Sequence, residues 1–324
     1  MSDRSSLKVL VTGAEGFVGP HLLEALRAAG HQVIPTSLSG SIGERLDLTD
    51  GDAVERLVAA IAPDAIAHLA AISSVPEAAG AVDRAWRVNV EGTRQLAMAH
   101  GRFRPDGVFL AVSTGALYAS TSTRQPLDED HVVRAESAYG ATKIAAEAAL
   151  EALSRSDAPA PRIVIARPFN HIGPGQAPNF ALPGFAEQIV RGEAAVDEGV
   201  SVEPLPIQVG NLEVRRDFLD VRDVVQAYRA LLEDSKARGV YNVCSGVSHR
   251  LRSVLDRLRS RATIATEVVT DPSRIRSTDP DAVEATSARL RRETGWSPQI
   301  SLEQTLDDIL ADWRDRIRSA VEIE

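Results

Sequence analysis

The stretch Lys8-Val9-Leu10-Val11-Thr12-Gly13-Ala14-Glu15-Gly16-Phe17-Val18-Gly19-Pro20 decides the fold. Its opening apolar run reads as a strand buried on both faces. The glycines follow at the spacing G-x-x-G-x-x-G, and Leu22, Leu23, Leu26 and Ala29 then mark one face of a helix. A strand that turns through glycines into a helix is where a dinucleotide pyrophosphate binds. Gly13 permits the tight turn, Gly16 lets backbone approach the phosphates, and Gly19 lets helix and strand pack closely. Phe17 and Val18 sit at the helix N-terminus, where free N–H groups meet the phosphates. Pro20 is tolerated in a first turn because its missing N–H is not needed there.

Outward from this stretch the pattern repeats. Gln32-Val33-Ile34, Ala65 to Leu69, Val108 to Val112 and Arg162 to Ala166 are further short apolar runs. Helical patterns separate them, such as Trp86, Val90, Thr93 and Ala97. Strand–helix alternation predicts an α/β fold, a Rossmann-type doubly wound parallel sheet. After Arg167 the texture becomes rich in proline and glycine, with one helix around Phe185 to Val190. Arg215 to Leu219 and Val240 to Val243 read as strands, and Asp220 caps a helix from Val221 to Leu232. Ser301 with Gln304 signals the last helix. The expected organisation is a dinucleotide-binding domain over 1–168, joined by returning segments at about 210–245. A smaller C-terminal substrate domain occupies 169–324.

The 324 residues carry a net charge of -9, from 36 basic and 45 acidic side chains. That balance argues against a nucleic-acid partner, because phosphate backbones need clustered Lys and Arg. No apolar run reaches the roughly 20 residues that cross a bilayer. The first residues are polar and the only cysteine is Cys244, so a cytoplasmic protein without a membrane partner is expected. No metal-ligand spacing stands out.

Other segments fit the cofactor. Asp47-Leu48 places a carboxylate and an apolar side chain beside an adenine, or else Asp47 simply shapes a turn. Leu69, Ala70 and Ala71 follow a strand with small side chains where a cofactor lies close, or pack the core. The second strand ends at Ile34-Pro35-Thr36-Ser37 without the acidic residue that binds ribose hydroxyls in NAD sites. Thr36, Ser37 and Ser39 offer hydroxyls to a 2′-phosphate. The cofactor is therefore NADP(H) or NAD(H), with the balance tipped to NADP(H).

Tyr139 and Lys143 stand four apart, which sets them on one helix face. A neighbouring ammonium lowers a phenol's pKa from about 10 and suits it to proton exchange. Thr114 follows a buried strand, at the end where open α/β sheets bind ligands. It can bond a reacting carbonyl oxygen, or cap a turn as Ser113 also could.

These motifs make the chain resemble the extended short-chain dehydrogenase/reductase family. The resemblance rests on Thr12 to Gly19, Ser113-Thr114 to Tyr118, Tyr139-x-x-x-Lys143 and Arg167-Pro168-Phe169-Asn170, and it runs to Gly295-Trp296-Ser297-Pro298. It implies Thr114, Tyr139 and Lys143 as the catalytic set. The second half is similar to GDP-mannose 4,6-dehydratases and GDP-4-keto-6-deoxymannose reductases, through Arg167 to Gln176, Val209-Gly210-Asn211-Leu212, Arg215 to Phe218 and Arg274 to Asp279. By that resemblance Asn170, Arg216 and Arg276 contact a sugar nucleotide, and the protein is a homodimer through the helix of Trp86 to Ala99 and that of Tyr139. An arginine fork suits phosphate oxygens, although Arg216 beside Asp217 also reads as a plain ion pair.

One departure separates the reactions. The dehydratases carry Glu two residues after the catalytic Thr, and here that residue is Ala116. A methyl group neither takes nor gives a proton. The resemblance then implies reduction of the 4-keto group of a 4-keto-6-deoxy sugar nucleotide by NAD(P)H, with GDP-4-keto-6-deoxymannose as the expected substrate. Ala119, Ser277 and Glu284-Ala285-Thr286 also depart from the usual pattern and bear on the base. The alternatives are a 4-epimerase, a 4,6-dehydratase acting through another carboxylate such as Glu136, and a non-catalytic dinucleotide sensor.

Overall fold

The computed structural model describes residues 6–118, 126–200, 204–275 and 282–321. The chain forms two compact units. The first comprises Met1–Phe169, Val224–Val243 and Thr286–Ser297, and the second Asn170–Asp223, Cys244–Ala285 and Pro298–Glu324.

The strands, in chain order, are β1 (Lys8–Thr12), β2 (Gln32–Ser37), β3 (Glu44–Arg45), β4 (Ala65–His68), β5 (Val108–Val112) and β6 (Arg162–Pro168), then β7 (Asn170–Ile172), β8 (Leu205–Val209), β9 (Arg215–Asp220), β10 (Gly239–Val243), β11 (Ser248–Arg250) and β12 (Thr266–Thr270). The first unit holds a seven-stranded sheet in the order β3-β2-β1-β4-β5-β6-β10. Every pairing in it is parallel. The order reverses between β1 and β4, which creates a crevice at their carboxyl ends. Val9, Leu10, Ile66, Phe109 and Leu110 are fully buried, because both sheet faces carry helices. Edge strand β3 is short, and both its residues are charged and exposed, which blunts the edge.

Local signals set the helices that flank the crevice. Asp50 caps helix Gly51–Ile61 by accepting from the Ala53 amide, and Ser137 caps helix Ala138–Ser154 through the Gly140 amide. A π-helical stretch, Arg87–Gly92, interrupts the helical run between Val82 and Phe103. Its Gly92 is required by closeness, since a Cβ there would meet the Leu48 side chain at 2.8 Å.

The second unit has its own core, in which Leu182, Phe185, Ile189, Val254, Leu258, Ile309 and Trp313 cluster. Helices Ala181–Asp197, Leu251–Arg259 and Leu302–Val321 enclose it with β8 and β12. Small sheet β11-β9-β7 lies in the same unit. Asp220 accepts from the Arg222 amide at the start of helix Val221–Glu233, and Ser301 accepts from the Gln304 amide. Thr286–Ser297 groups with the first unit rather than the second. Tyr241 of β10 donates to Glu293, and Thr286 bonds the Leu127 carbonyl, which ties that segment to the large sheet. Among the described residues no helix is long and apolar enough to cross a membrane.

Candidate active site

The three loop glycines differ in what demands them. Gly13 has φ +70°, and a Cβ there would meet the Ala70 amide nitrogen at 2.7 Å. A Cβ at Gly19 would meet the Ala14 carbonyl oxygen at 2.2 Å. Gly16 is exposed, and a Cβ there would meet only the Gly13 carbonyl, at 3.3 Å. Protein therefore fills the space at the outer two glycines and leaves the face of Gly16 open. That open face, beside the N-terminus of helix Val18–Ala28, fits the pyrophosphate of a dinucleotide. Among the described residues no side chain caps that helix, so Phe17 and Val18 open it without a competing anion. Leu69 and Ala70 lie beside Gly13, where their amides bond the backbone and hydroxyl of Thr12, and Ala71 follows them in the chain.

The adenosine side differs from expectation. The buried Thr36 hydroxyl donates to the Val11 carbonyl. Ser37 donates to the Ile42 carbonyl and accepts from the Gly40 amide. Both are committed to the fold and not turned toward a 2′-phosphate. Asp47 accepts from the Thr49 amide and hydroxyl, which hold its carboxyl below the usual range. Leu48 is buried in the core of the first unit. The turn-and-core reading of Asp47-Leu48 describes both.

Thr114, Tyr139 and Lys143 come together in the first unit. Thr114 follows β5, accepts from the Ala116 amide at 3.2 Å, and shares a hydrogen bond with Tyr139. The capping reading describes the first of these bonds, and the second brings the Thr114 hydroxyl to the phenol. Lys143 lies one helical turn beyond Tyr139, its nitrogen 6.0 Å from the ring centre. The ammonium donates to the Val112 carbonyl at 2.8 Å. Burial lowers Lys143 to about 8, with Glu147 pulling the other way.

The phenol corrects an expectation. Burial pushes Tyr139 up to about 12, with the Thr114 bond opposing it, whereas a lowered value follows from the sequence spacing. Desolvation of the charged form outweighs the nearby ammonium. Tyr139 is thus a protonated phenol across the neutral range.

A buried chain of hydrogen bonds supports this helix. Thr142 donates to the Tyr139 carbonyl and accepts from Asn89 Nδ2. Asn89 also bonds both backbone groups of Ile72. Thr93 spends its single proton on the Asn89 carbonyl, so it must accept from His68 Nε2, 2.9 Å away. Nδ1 of His68 is then an acceptor for the Thr12 hydroxyl at 2.7 Å. Burial, with Lys143 adding to it, lowers His68 to about 3, so the ring is neutral. The glycine-loop strand and the tyrosine helix are thereby joined through six residues. Sequence reasoning missed His68, Asn89 and Thr142. Their only signal is polarity at positions whose periodicity faces the core.

A second group lies behind Lys143. Arg167 pairs with Glu147 at 3.1 and 2.6 Å and donates to the Tyr118 hydroxyl, which donates to Asn242. Phe169 stacks on Tyr118, and a Cβ at Gly115 would strike the Phe169 ring at 2.9 Å. Gly115 is therefore fixed by packing, and Ala116 beside it is exposed.

In the second unit, Asn170 and Arg216 lie on adjacent strands β7 and β9, where Asn170 pairs in register with Phe218. Asn170 Nδ2 donates to the Asp217 carbonyl. The Asp217 carboxylate accepts from the Ser245 and Gly246 amides, a loop-holding task that the ion-pair reading did not foresee. Arg276 lies outside the described residues. Among those residues, no cluster of three or more His, Cys, Asp or Glu side chains could hold a metal.

Parallel sheet, open glycine loop and the Thr114–Tyr139–Lys143 group together define a dinucleotide-dependent oxidoreductase. The chain belongs to the NAD dependent epimerase/dehydratase family, whose pattern matches residues 9–244. It is 38% identical over 312 residues to a GDP-6-deoxy-D-mannose reductase of Pseudomonas aeruginosa, covering 96% of this chain and 98% of that protein. It is 27% identical to a GDP-6-deoxy-D-talose 4-dehydrogenase of Aggregatibacter actinomycetemcomitans, over 78% of this chain and 79% of the relative. Among solved structures, RMD from Pseudomonas aeruginosa complexed with NADPH matches with TM-score 0.83 and 35% identity, covering 96% of this chain and 100% of that one.

Proposed function

We propose that this protein reduces the 4-keto group of a nucleotide-diphosphate 4-keto-6-deoxy sugar, with GDP-4-keto-6-deoxymannose as substrate. One observation carries the reading. The proton-transfer group is complete around Tyr139, while the place where a dehydratase carboxylate belongs holds only the exposed methyl of Ala116. The named reductase relative supports the substrate.

NAD(P)H held at the glycine loop of Gly13, Gly16 and Gly19 would supply the hydride for C4. Tyr139 gives its proton to O4, so the carbonyl becomes a secondary alcohol. Its raised pKa suits that direction, because the donor must begin protonated. Thr114 shares the developing oxygen's hydrogen bonds. Lys143, anchored on the Val112 carbonyl, holds the ribose side and returns a proton toward Tyr139. Asn170, Arg216 and Arg276 bind the sugar nucleotide. With Cys244 as its single cysteine the sequence can form no intrachain disulfide, which fits a reducing compartment, the cytoplasm. Exposed Val82, Trp86 and Met98 lie along the helical run from Val82 to Phe103 and supply the apolar face of a homodimer.

The test is incubation with GDP-4-keto-6-deoxymannose and NADPH or NADH, followed optically, with the product identified by NMR. Stoichiometric cofactor oxidation is expected, and it excludes a 4-epimerase, which returns its hydride. Tyr139→Phe should lower the rate by about 10²–10⁴ while sugar-nucleotide binding, read by calorimetry, persists. Unoxidised cofactor with this substrate and with a panel of other 4-keto sugar nucleotides overturns the proposal.

A further inference from the structure

Dinucleotide-binding sheets of this kind sort NAD from NADP at the end of the second strand. A carboxylate about 20 residues beyond the glycine fingerprint binds the ribose 2′-hydroxyl, or an arginine there accommodates the 2′-phosphate. In this chain the stretch is Thr36-Ser37-Leu38-Ser39-Gly40-Ser41, with neither an acid nor an arginine. The hydroxyls of Thr36 and Ser37 are already used within the fold. A carboxylate nevertheless reaches the place from the glycine loop itself. Glu15 Oε2 accepts from Ser39 Oγ at 2.5 Å and from Ser41 Oγ at 2.9 Å. Ser39 is held in turn by the Ser41 amide at 3.0 Å. All three side chains are exposed and lie at the end of β2, the position where such sheets read the adenosine ribose.

We propose that Glu15, presented by Ser39 and Ser41, is the residue that reads the adenosine ribose. The reading rests on the dinucleotide dependence proposed above. Glu15 replaces the missing strand-end acid as acceptor for the ribose hydroxyls, and so admits NADH alongside NADPH. Its charge opposes a 2′-phosphate, and its hold on two serine hydroxyls keeps them from one. Removing the charge frees both hydroxyls and ends the repulsion. Arg45, whose Cβ lies 3.3 Å from where a Cβ on Gly40 would stand, borders the same loop.

Calorimetric titration of the full chain with NADH, NADPH and 2′,5′-ADP reads this without turnover. Glu15→Gln should tighten NADPH and 2′,5′-ADP and loosen NADH, moving the ratio of their dissociation constants by about tenfold. Ser39→Ala with Ser41→Ala should loosen NADH, because the carboxylate loses its support. If wild type binds both dinucleotides and the ratio in Glu15→Gln stays within twofold, the role of Glu15 is overturned and the reductase reading stands. If wild type binds no dinucleotide at all, both fall.

Discussion

His68 shows how one buried residue carries both geometry and pH dependence. Its ring is neutral, bonded on both nitrogens and fully enclosed. Burial lowers its pKa from 6.5 to about 3. The unfolded chain takes up a proton below pH 6.5 that the folded site refuses. Stability is thus complete above pH 6.5 and is lost as pH falls toward 3. Between pH 6.5 and pH 5 this residue should cost about 2 kcal/mol. Denaturant midpoints at the two pH values should fall less for His68→Gln than for wild type, and equal losses would remove His68 from the acid limb. Gly115 makes a related point about reading single residues. Its missing side chain is a packing requirement, because the Phe169 ring stands where a Cβ would be.

The helix Ala138–Ser154 is the element on which the chemistry depends. It starts at the Ser137 cap, and its first turns carry Tyr139 and Lys143. Four-residue spacing is a property of any helix, so the Tyr–Lys face was legible without coordinates. Its anchoring was not. Asn89 reaches it from a π-helical stretch, a form that tends to occur at functional sites. Asn89→Ala removes the acceptor of the Ile72 amide and the donor to the Thr142 hydroxyl. Stability should fall by about 1–3 kcal/mol, with a lower kcat because Thr142, which holds the Tyr139 carbonyl, loses its own anchor. A variant with unchanged kcat at a temperature where it is fully folded would show that Asn89 serves stability alone.

For the whole molecule, the exposed apolar residues of the first unit bear on assembly. Val82, Trp86 and Met98 are each more than 40% exposed, an unusual amount for side chains that gain from leaving water. The homodimer proposed above covers them. Wild type should elute as a dimer by light scattering, and Trp86→Glu should shift it to monomer with its circular dichroism intact. A monomeric wild type would end that part of the reading.

The amino-acid sequence by itself determined the doubly wound sheet, the glycine loop and the pairing of Tyr139 with Lys143. Those follow from backbone periodicity and the steric needs of glycine, which act over a few neighbouring residues. Tertiary structure alone decided the proton energetics of Tyr139, the Thr12–His68–Asn89–Thr142 chain, the reach of Glu15 to Ser39 and Ser41, and the grouping of Thr286–Ser297 with the first unit. Desolvation and long-range hydrogen bonding depend on which distant segments the fold brings together, and no local pattern encodes them.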